Sequence, residues 1–259
     1  MGKLDGKVAI VTGGVAGIGL AACKLFVQEG AKVLMVDLSE DALAKQVEQL
    51  GESNISYFTA DVSKEDQTKD YVQAAVDRYG GVDVYVANAG ILGSVAPITD
   101  YPTEMFDRVF EVNVRGAWLG IKYVLPYLQQ KNEGSIILTS SIAGIKGFPY
   151  VSVYSGTKHA LKGIMRSVAI ECAGTGIRVN TVHPGATQTH MIEELEEGFG
   201  GGDPEVGREA LLGGTLMGRY ASPEEVAKLM LFIACDGSYC TGSVFICLLY
   251  TSPSPRDRS

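Results

Sequence analysis

A chain of 259 residues, 46% hydrophobic and 20% charged, is long enough for one large α/β domain and too apolar to be disordered. Its formal net charge of −8 excludes the clustered cationic surface that phosphate backbones require, so no nucleic-acid partner is expected. The five cysteines (Cys23, Cys172, Cys235, Cys240, Cys247) form no CxxC pair and no zinc-like spacing with the three histidines. Reduced thiols and no metal are the expectation.

Met1 to Lys7 is polar and charged, unlike a secretory leader. Position 6 is Gly, where a myristoylation signal would carry Ser or Thr. Val8 to Val27 is apolar, but four glycines, Thr12 and Lys24 make it a strand, loop and helix rather than a membrane span. These features predict a cytoplasmic protein that does not cross a membrane.

Lys7 to Thr12 is a short β-branched run bounded by glycines, which predicts a strand buried on both faces. The glycine-rich turn from Gly13 to Gly19 follows, and then a helix that ends at Gly30. A second strand, Ala31 to Val36, runs into Asp37. Strand, glycine turn, helix, strand and acid make the dinucleotide pattern, with Gly17-x-Gly19-x-x-Ala22 as its core and Gly13 as a further glycine. Glycines let a backbone approach a pyrophosphate, and the helix start around Ile18 supplies amides and partial positive charge. Asp37, 18 residues after Gly19, is placed to accept hydrogen bonds from a ribose diol. Its charge would repel a 2′-phosphate, and Val15, Ala16 and Leu38 offer no compensating cation, so NAD rather than NADP is the expected cofactor.

The alternation continues. Helices are predicted over Ser39–Leu50, Lys64–Tyr79, Pro102–Val114, Ala117–Gln130 and Ser152–Ala173. Strands are predicted over Ile55–Ala60, Val82–Ala87, Ser135–Leu138 and Ile177–Val182, with a last one over Thr241–Ile246. Asp61-Val62, Asn88-Ala89-Gly90, Thr139-Ser140-Ser141 and His183-Pro184-Gly185 all fall at strand ends. This rhythm predicts a Rossmann-type, doubly wound parallel sheet flanked by helices, in a single α/β domain spanning 1–247. Such sheets bind ligands beyond the carboxyl ends of their strands, where these segments converge. Tyr154 and Lys158, four residues apart on the long helix, share one face about a turn apart. A cation beside a phenol favours the phenolate, which would bring the tyrosine towards proton exchange near neutral pH.

Thr12-Gly13-x3-Gly17-x-Gly19, Asn88-Ala89-Gly90, Asn113, Ser141, Tyr154-x3-Lys158 and Pro184-Gly185 together resemble the short-chain dehydrogenase/reductase family, from about Leu4 to Phe245. Within it, the chain is similar to NAD-dependent secondary- and cyclic-alcohol dehydrogenases. The resemblance implies that Tyr154 is the general acid/base and that Lys158 lowers its pKa and holds the nicotinamide ribose. It implies that Ser141 hydrogen-bonds the substrate oxygen and that Asn113 holds a relay water. It places Asp61 and Val62 around the adenine, Asn88 near its ribose, and Thr187 and Thr189, after Pro184-Gly185, at the carboxamide. Substrate would meet Ile91, Leu92, Ala143, Phe148, Tyr150 and Met191. These are mostly apolar and none is a cation, which predicts an uncharged aliphatic or alicyclic secondary alcohol and its ketone. Glu193 to Glu197 with Gly198 and Gly200-Gly201-Gly202 resembles the family's mobile lid, and a homotetramer is the implied assembly.

His159 is read as a packed or surface residue and His183 as structural, while His190 stands evenly between a bystander and a residue that reaches substrate. One alternative is a 3-oxoacyl-carrier-protein reductase, which would favour NADP and basic docking residues near the mouth; Asp37, Asn132, Thr175 and the net charge oppose it. Another is a non-catalytic NAD-sensing protein, which would have no need of Asn113, Ser141, Tyr154 and Lys158 together. Residues 248–259 depart from the family pattern and read as an atypical tail, either non-native or genuinely divergent.

Overall fold

In the computed structural model, described for residues 1–51 and 53–247, the first strand β1 (Val8–Thr12) is buried at every position. Its side chains alternate between two cores: Ile10 faces one with Leu34, Tyr85 and Ile136, while Ala9 and Val11 face the other with Val33, Met35 and Val86. The period of two thus puts an apolar residue on both faces, which is why the run reads as continuous rather than alternating. Truncating Ile10 would cost about 2–5 kcal/mol by the cavity left behind.

The described residues form a seven-stranded sheet in the order β3-β2-β1-β4-β5-β6-β7, with every pairing parallel. The other strands are β2 (Lys32–Asp37), β3 (Ile55–Thr59), β4 (Val84–Ala87), β5 (Glu133–Thr139), β6 (Gly176–Pro184) and β7 (Val244–Cys247). β1 lies between β2 and β4, with Ile10 opposite Leu34 on one side and Tyr85 on the other. The chain therefore winds outward in both directions from β1, and the crevice at this switch point is where such sheets take ligands. The predicted doubly wound single domain is observed.

Helices α1 (Gly17–Gln28), α2 (Glu40–Leu50) and α3 (Glu65–Tyr79) connect the first strands. Ser39 caps α2 through a bond from Ala42 N, as its sequence predicts. The two helices expected over 102–130 are one interrupted rod. α4 (Thr103–Phe110) passes through a π-helical turn, Glu111–Gly116, into α5 (Ala117–Lys131). The turn surrounds Asn113, and π-turns of this kind often mark functional positions. α6 (Ser152–Glu171) carries Tyr154 and Lys158.

Beyond β6 come α7 (His190–Phe199) and α8 (Pro204–Leu212), then α9 (Pro223–Ala234), which packs against α1. The sequence reading leaves α9 unassigned. Its signal was present: Ser222 and Glu225 form a reciprocal capping box, with Pro223 in the first turn. β7 begins three residues later than predicted, because Thr241 and Ser243 are spent bonding β6 from a loop. The predicted tail, 248–259, lies outside the described residues. Among the described residues, no helix is long and apolar enough to cross a membrane, and no group of His, Cys, Asp or Glu is arranged to hold a metal.

Candidate active site

The carboxyl ends of the strands open into a cavity of about 900 Å³. One end is a cradle for an elongated, anionic ligand. Gly13 and Gly17 take φ of 66° and 51°, a left-handed conformation that side-chain-bearing residues avoid. At Gly19 an added Cβ would sit 1.9 Å from Gly13 O, so that glycine serves close helix–strand packing and does not itself line the cavity. The N-cap of α1 is Ala16, with no side-chain cap and no acid in the first turn. Its amides are left for an external anion, in contrast with the capped and acidic starts of α2 and α9. Asp37 ends β2 at the cradle's rim, its carboxylate accepting from Val15 N at 3.3 Å and Leu38 N at 2.8 Å. These residues fit a dinucleotide.

Val62, Asn88, Pro184, Gly185, Thr187 and Thr189 line the cavity, and Ile18 does so at the start of α1. Asp61 does not. Its carboxylate turns away to Ser63 and Arg108, which hold it below the ordinary carboxylate range against the opposing effect of burial, and its N–H donates to Gln67 Oε1 at 2.7 Å. Asn88 stitches β1 to β4, donating from its amide to Thr12 O and Gly13 O while Thr12 Oγ1 accepts from Asn88 N and Ala89 N. Thr12 enters the sequence pattern only as the residue before Gly13. Its buried hydroxyl is the joint that fixes the floor of the cradle.

Further along the same floor stand Ser141, at the end of β5, and Tyr154 and Lys158, on α6. Ser141 Oγ accepts from Ala143 N at 3.1 Å and stands beside the Tyr154 phenol, whose pKa it lowers. Lys158 Nζ donates to Thr139 O at 2.8 Å and lies 5.4 Å from the Tyr154 ring centroid. Asn113 does not line the cavity but stands just behind it. Its amide donates to Ile91 O and Thr157 Oγ1 and accepts from Ile91 N, so its side chain is already occupied. A Cβ on Gly90 would meet both Asn113 Oδ1 and Lys158 Nζ, at 3.1 and 3.4 Å, which is how near these groups come. Thr157, unmarked in the sequence reading, ties Asn113 to α6 by donating to Tyr154 O.

The electrostatics differ from the expectation at one point. The sequence predicts a phenol drawn below its ordinary value by Lys158. Instead burial pushes Tyr154 up to about 12, and the opposing pull comes from Ser141. Burial also pulls Lys158 down to about 8. Both groups are at most 8% exposed, so the loss of hydration outweighs their mutual effect.

Over Tyr154 lies an apolar chamber. Leu92, Ala143 and Val151 form its walls with Phe148 and Val95, and α7 closes it with Met191, Leu195 and Phe199. Ile91, Leu92, Ala143, Phe148 and Met191 line the cavity. Tyr150 does not; it takes a φ of 63° at the threshold of α6 and meets the Phe199 ring edge-on at 6.2 Å. Glu194 and Glu197, which the sequence reads as part of a lid, line the chamber's mouth. His190 is exposed and bonded to Glu193, while His183 is fully buried. Among the described lining residues, Lys158 is the sole Lys or Arg. Asn132 and Thr175 sit beside the amino ends of β5 and β6, at the far edge of the sheet from the cavity, so neither bears on docking at its mouth.

A parallel sheet with a dinucleotide cradle at its switch point, flanked by a buried Ser, Tyr and Lys, defines a nucleotide-dependent oxidoreductase. The comparisons agree: the short chain dehydrogenase family model matches residues 7–199. The chain is 39% identical over 246 residues to the 3-oxoacyl-acyl-carrier-protein reductase FabG of Thermotoga maritima, covering 93% of this chain and 96% of that one. It is 36% identical over 251 residues to cyclopentanol dehydrogenase of a Comamonas species, covering 95% and 97%. The crystal structure of NAD+-bound xylitol dehydrogenase superposes with a TM-score of 0.89 at 31% identity, covering 95% and 99%. The protein belongs to the short-chain dehydrogenase family.

Proposed function

We propose that the protein is an NAD(H)-dependent oxidoreductase interconverting an uncharged aliphatic or alicyclic secondary alcohol and its ketone, with Tyr154 as general acid/base. The observation that carries this reading is one continuous cavity, with an Asp37-rimmed cradle at one end and an apolar chamber over Ser141, Tyr154 and Lys158 at the other. When bound, NAD supplies the hydride acceptor or donor. Gly13, Gly17, the first amides of α1, Asp37, Val62, Asn88, Gly185, Thr187 and Thr189 would hold it. In oxidation Tyr154 Oη takes the hydroxyl proton as the carbon–hydrogen bond breaks and the carbonyl forms. In reduction the same phenol returns the proton to the carbonyl oxygen. Ser141 Oγ donates its one proton to the oxygen on which negative charge develops. Lys158 keeps a positive charge beside the phenol, and Asn113 holds the Ile91 segment and α6 in register behind it.

Two further parts of this reading concern substrate and setting. Among the described lining residues Lys158 is the sole Lys or Arg that a carboxylate or phosphate could meet, and Glu194 and Glu197 at the mouth repel anions. We place the enzyme in the cytoplasm as a homotetramer, for which the exposed Phe106 and Trp118 on α4 and α5 supply an apolar face that light scattering can test.

A second reading, reduction of a 3-oxoacyl group on a carrier protein, is favoured by the 39% identity to FabG. One assay separates them: NADH and NADPH turnover against cyclic and linear ketones and an acetoacetyl thioester. NADH-dependent reduction of neutral ketones supports the proposal, and NADPH-dependent reduction of the thioester alone overturns it. Tyr154→Phe is expected to lower kcat by at least about 10³-fold while leaving NADH binding intact. Near wild-type turnover in that variant would refute the role of Tyr154.

A further inference from the structure

His183 has no part in the scheme above, yet it is wholly buried at the end of β6 and touches the residue that holds the substrate oxygen. Ser140 N donates to Val182 O, and two residues further along β6 stands Pro184, which has no N–H to extend the ladder. The His183 ring carries the connection between the two strands one step further, with Nδ1 2.8 Å from Ser141 O. A carbonyl oxygen only accepts, so Nδ1 bears the proton. Nε2 is then the acceptor, and the Thr181 hydroxyl, 2.9 Å away, is its donor. The chain Thr181 hydroxyl to imidazole to Ser141 carbonyl is therefore directional and fixes one neutral tautomer. Burial keeps the ring neutral, with Lys158, Lys162 and His159 on α6 adding to that preference.

The anchored carbonyl belongs to the residue whose hydroxyl serves the chemistry. Ser141 O also accepts from Gly144 N at 2.8 Å, while Ser141 Oγ accepts from Ala143 N. The short turn after β5 is thus held from within by its own amides and from β6 by one imidazole. Ser141 is extended, at φ −165° and ψ 164°, so rotation about its backbone would swing Oγ away from Tyr154. Without the imidazole, no other contact from β6 reaches that carbonyl among the bonds recorded for the described residues.

We propose that His183 is a positioning residue for Ser141, a neutral strut from β6 that holds the serine hydroxyl against Tyr154 and the substrate oxygen. This rests on the role given to Ser141 above. The test is a double-mutant cycle in the full-length enzyme, using the ketone it reduces best and NADH binding followed by fluorescence. His183→Leu is expected to lower kcat about tenfold or more, since small displacements of a catalytic group are costly, with NADH affinity unchanged within about twofold. His183→Asn keeps a donor near the Nδ1 position and should recover kcat to within about threefold of wild type. In a Ser141→Ala background, His183→Leu should add less than about twofold, because its effect acts through the missing hydroxyl. A residue that only stabilised the fold would add its full loss there. Should His183→Leu not fold, Thr181→Val takes its place, with an expected loss of about threefold that also vanishes on Ser141→Ala. Wild-type kcat in His183→Leu, or in Thr181→Val where that replaces it, or losses that add fully to Ser141→Ala, overturn the proposal for His183 alone. Wild-type kcat in Ser141→Ala itself would instead overturn the role of Ser141, and the functional reading with it.

Discussion

The cavity is floored by strand ends and roofed by α7 and α8, and the two halves hold their side chains in different ways. On the floor, Thr12, Asn113, Thr139, Tyr154, Lys158 and His183 are buried and most are bonded to backbone of a neighbouring element. On the roof, His190, Glu193 and Glu194 face water and bond one another, while Met191, Leu195 and Phe199 are held by apolar contact alone. Hydrogen bonds to fixed backbone define atomic positions, and the chemistry of proton and hydride transfer needs that. Apolar contact defines a volume, which suits a surface that selects substrates by size. Most variants on the floor should therefore act on kcat or cofactor binding, and those on the roof on KM.

The largest effect should come from the cradle. Gly19→Val places a side chain against Gly13 O, where even a Cβ would stand 1.9 Å away, and neither backbone can retreat without opening the sheet. Loss of measurable NADH binding, with a cost of roughly 3 kcal/mol or more to the fold, is the expected result by fluorescence titration and thermal melting. A variant that binds NADH normally would break the contrast at its base.

Acid comes next, because it distinguishes buried from exposed histidine. Burial pushes the His183 imidazole from its ordinary 6.5 down to about 4, so in that interval the unfolded chain binds a proton that the folded chain refuses. The associated stability is complete above about pH 6.5 and is lost as pH falls towards 4, to the extent of roughly 3 kcal/mol. His183→Asn should flatten the melting temperature over that window. His190, exposed and raised by its bond to Glu193, acts in the opposite sense, so its replacement should not flatten that slope.

A smaller and more specific effect belongs to Asp37. Asp37→Asn removes the charge at the cradle's rim and should cut the NADH over NADPH preference in kcat/KM by about 10-fold to 100-fold. An unaltered ratio would mean that discrimination resides elsewhere. The smallest effect is on the roof. Phe199→Ala removes the ring that meets Tyr150 and should raise the KM for a hydrophobic ketone about threefold to tenfold, with kcat within about twofold. A fall in kcat with KM unchanged would place the roof in the chemistry.

The floor was also the more legible half. Strand ends announce themselves through apolar runs that stop at Asp37, Asn88, Ser141 and Pro184, and the glycine spacing after β1 declares a close approach. The roof was less so, because α8 follows a glycine-rich stretch and gives no local signal of the face it covers. Glu194 and Glu197 look like any solvated pair until α7 is laid across the mouth.

Local pattern therefore determined the order of elements, the dinucleotide cradle and the pairing of Tyr154 with Lys158, since each depends on residues within a turn or a strand of one another. Tertiary structure decided what depends on burial and on distant partners. It turned Asp61 towards Arg108, set Asn113 behind the cavity within a π-turn, and raised the Tyr154 phenol rather than lowering it. It also joined His183 to Ser141 across 42 positions of chain. Desolvation and long-range hydrogen bonds have no period that a sequence can display, and they decide how these residues act.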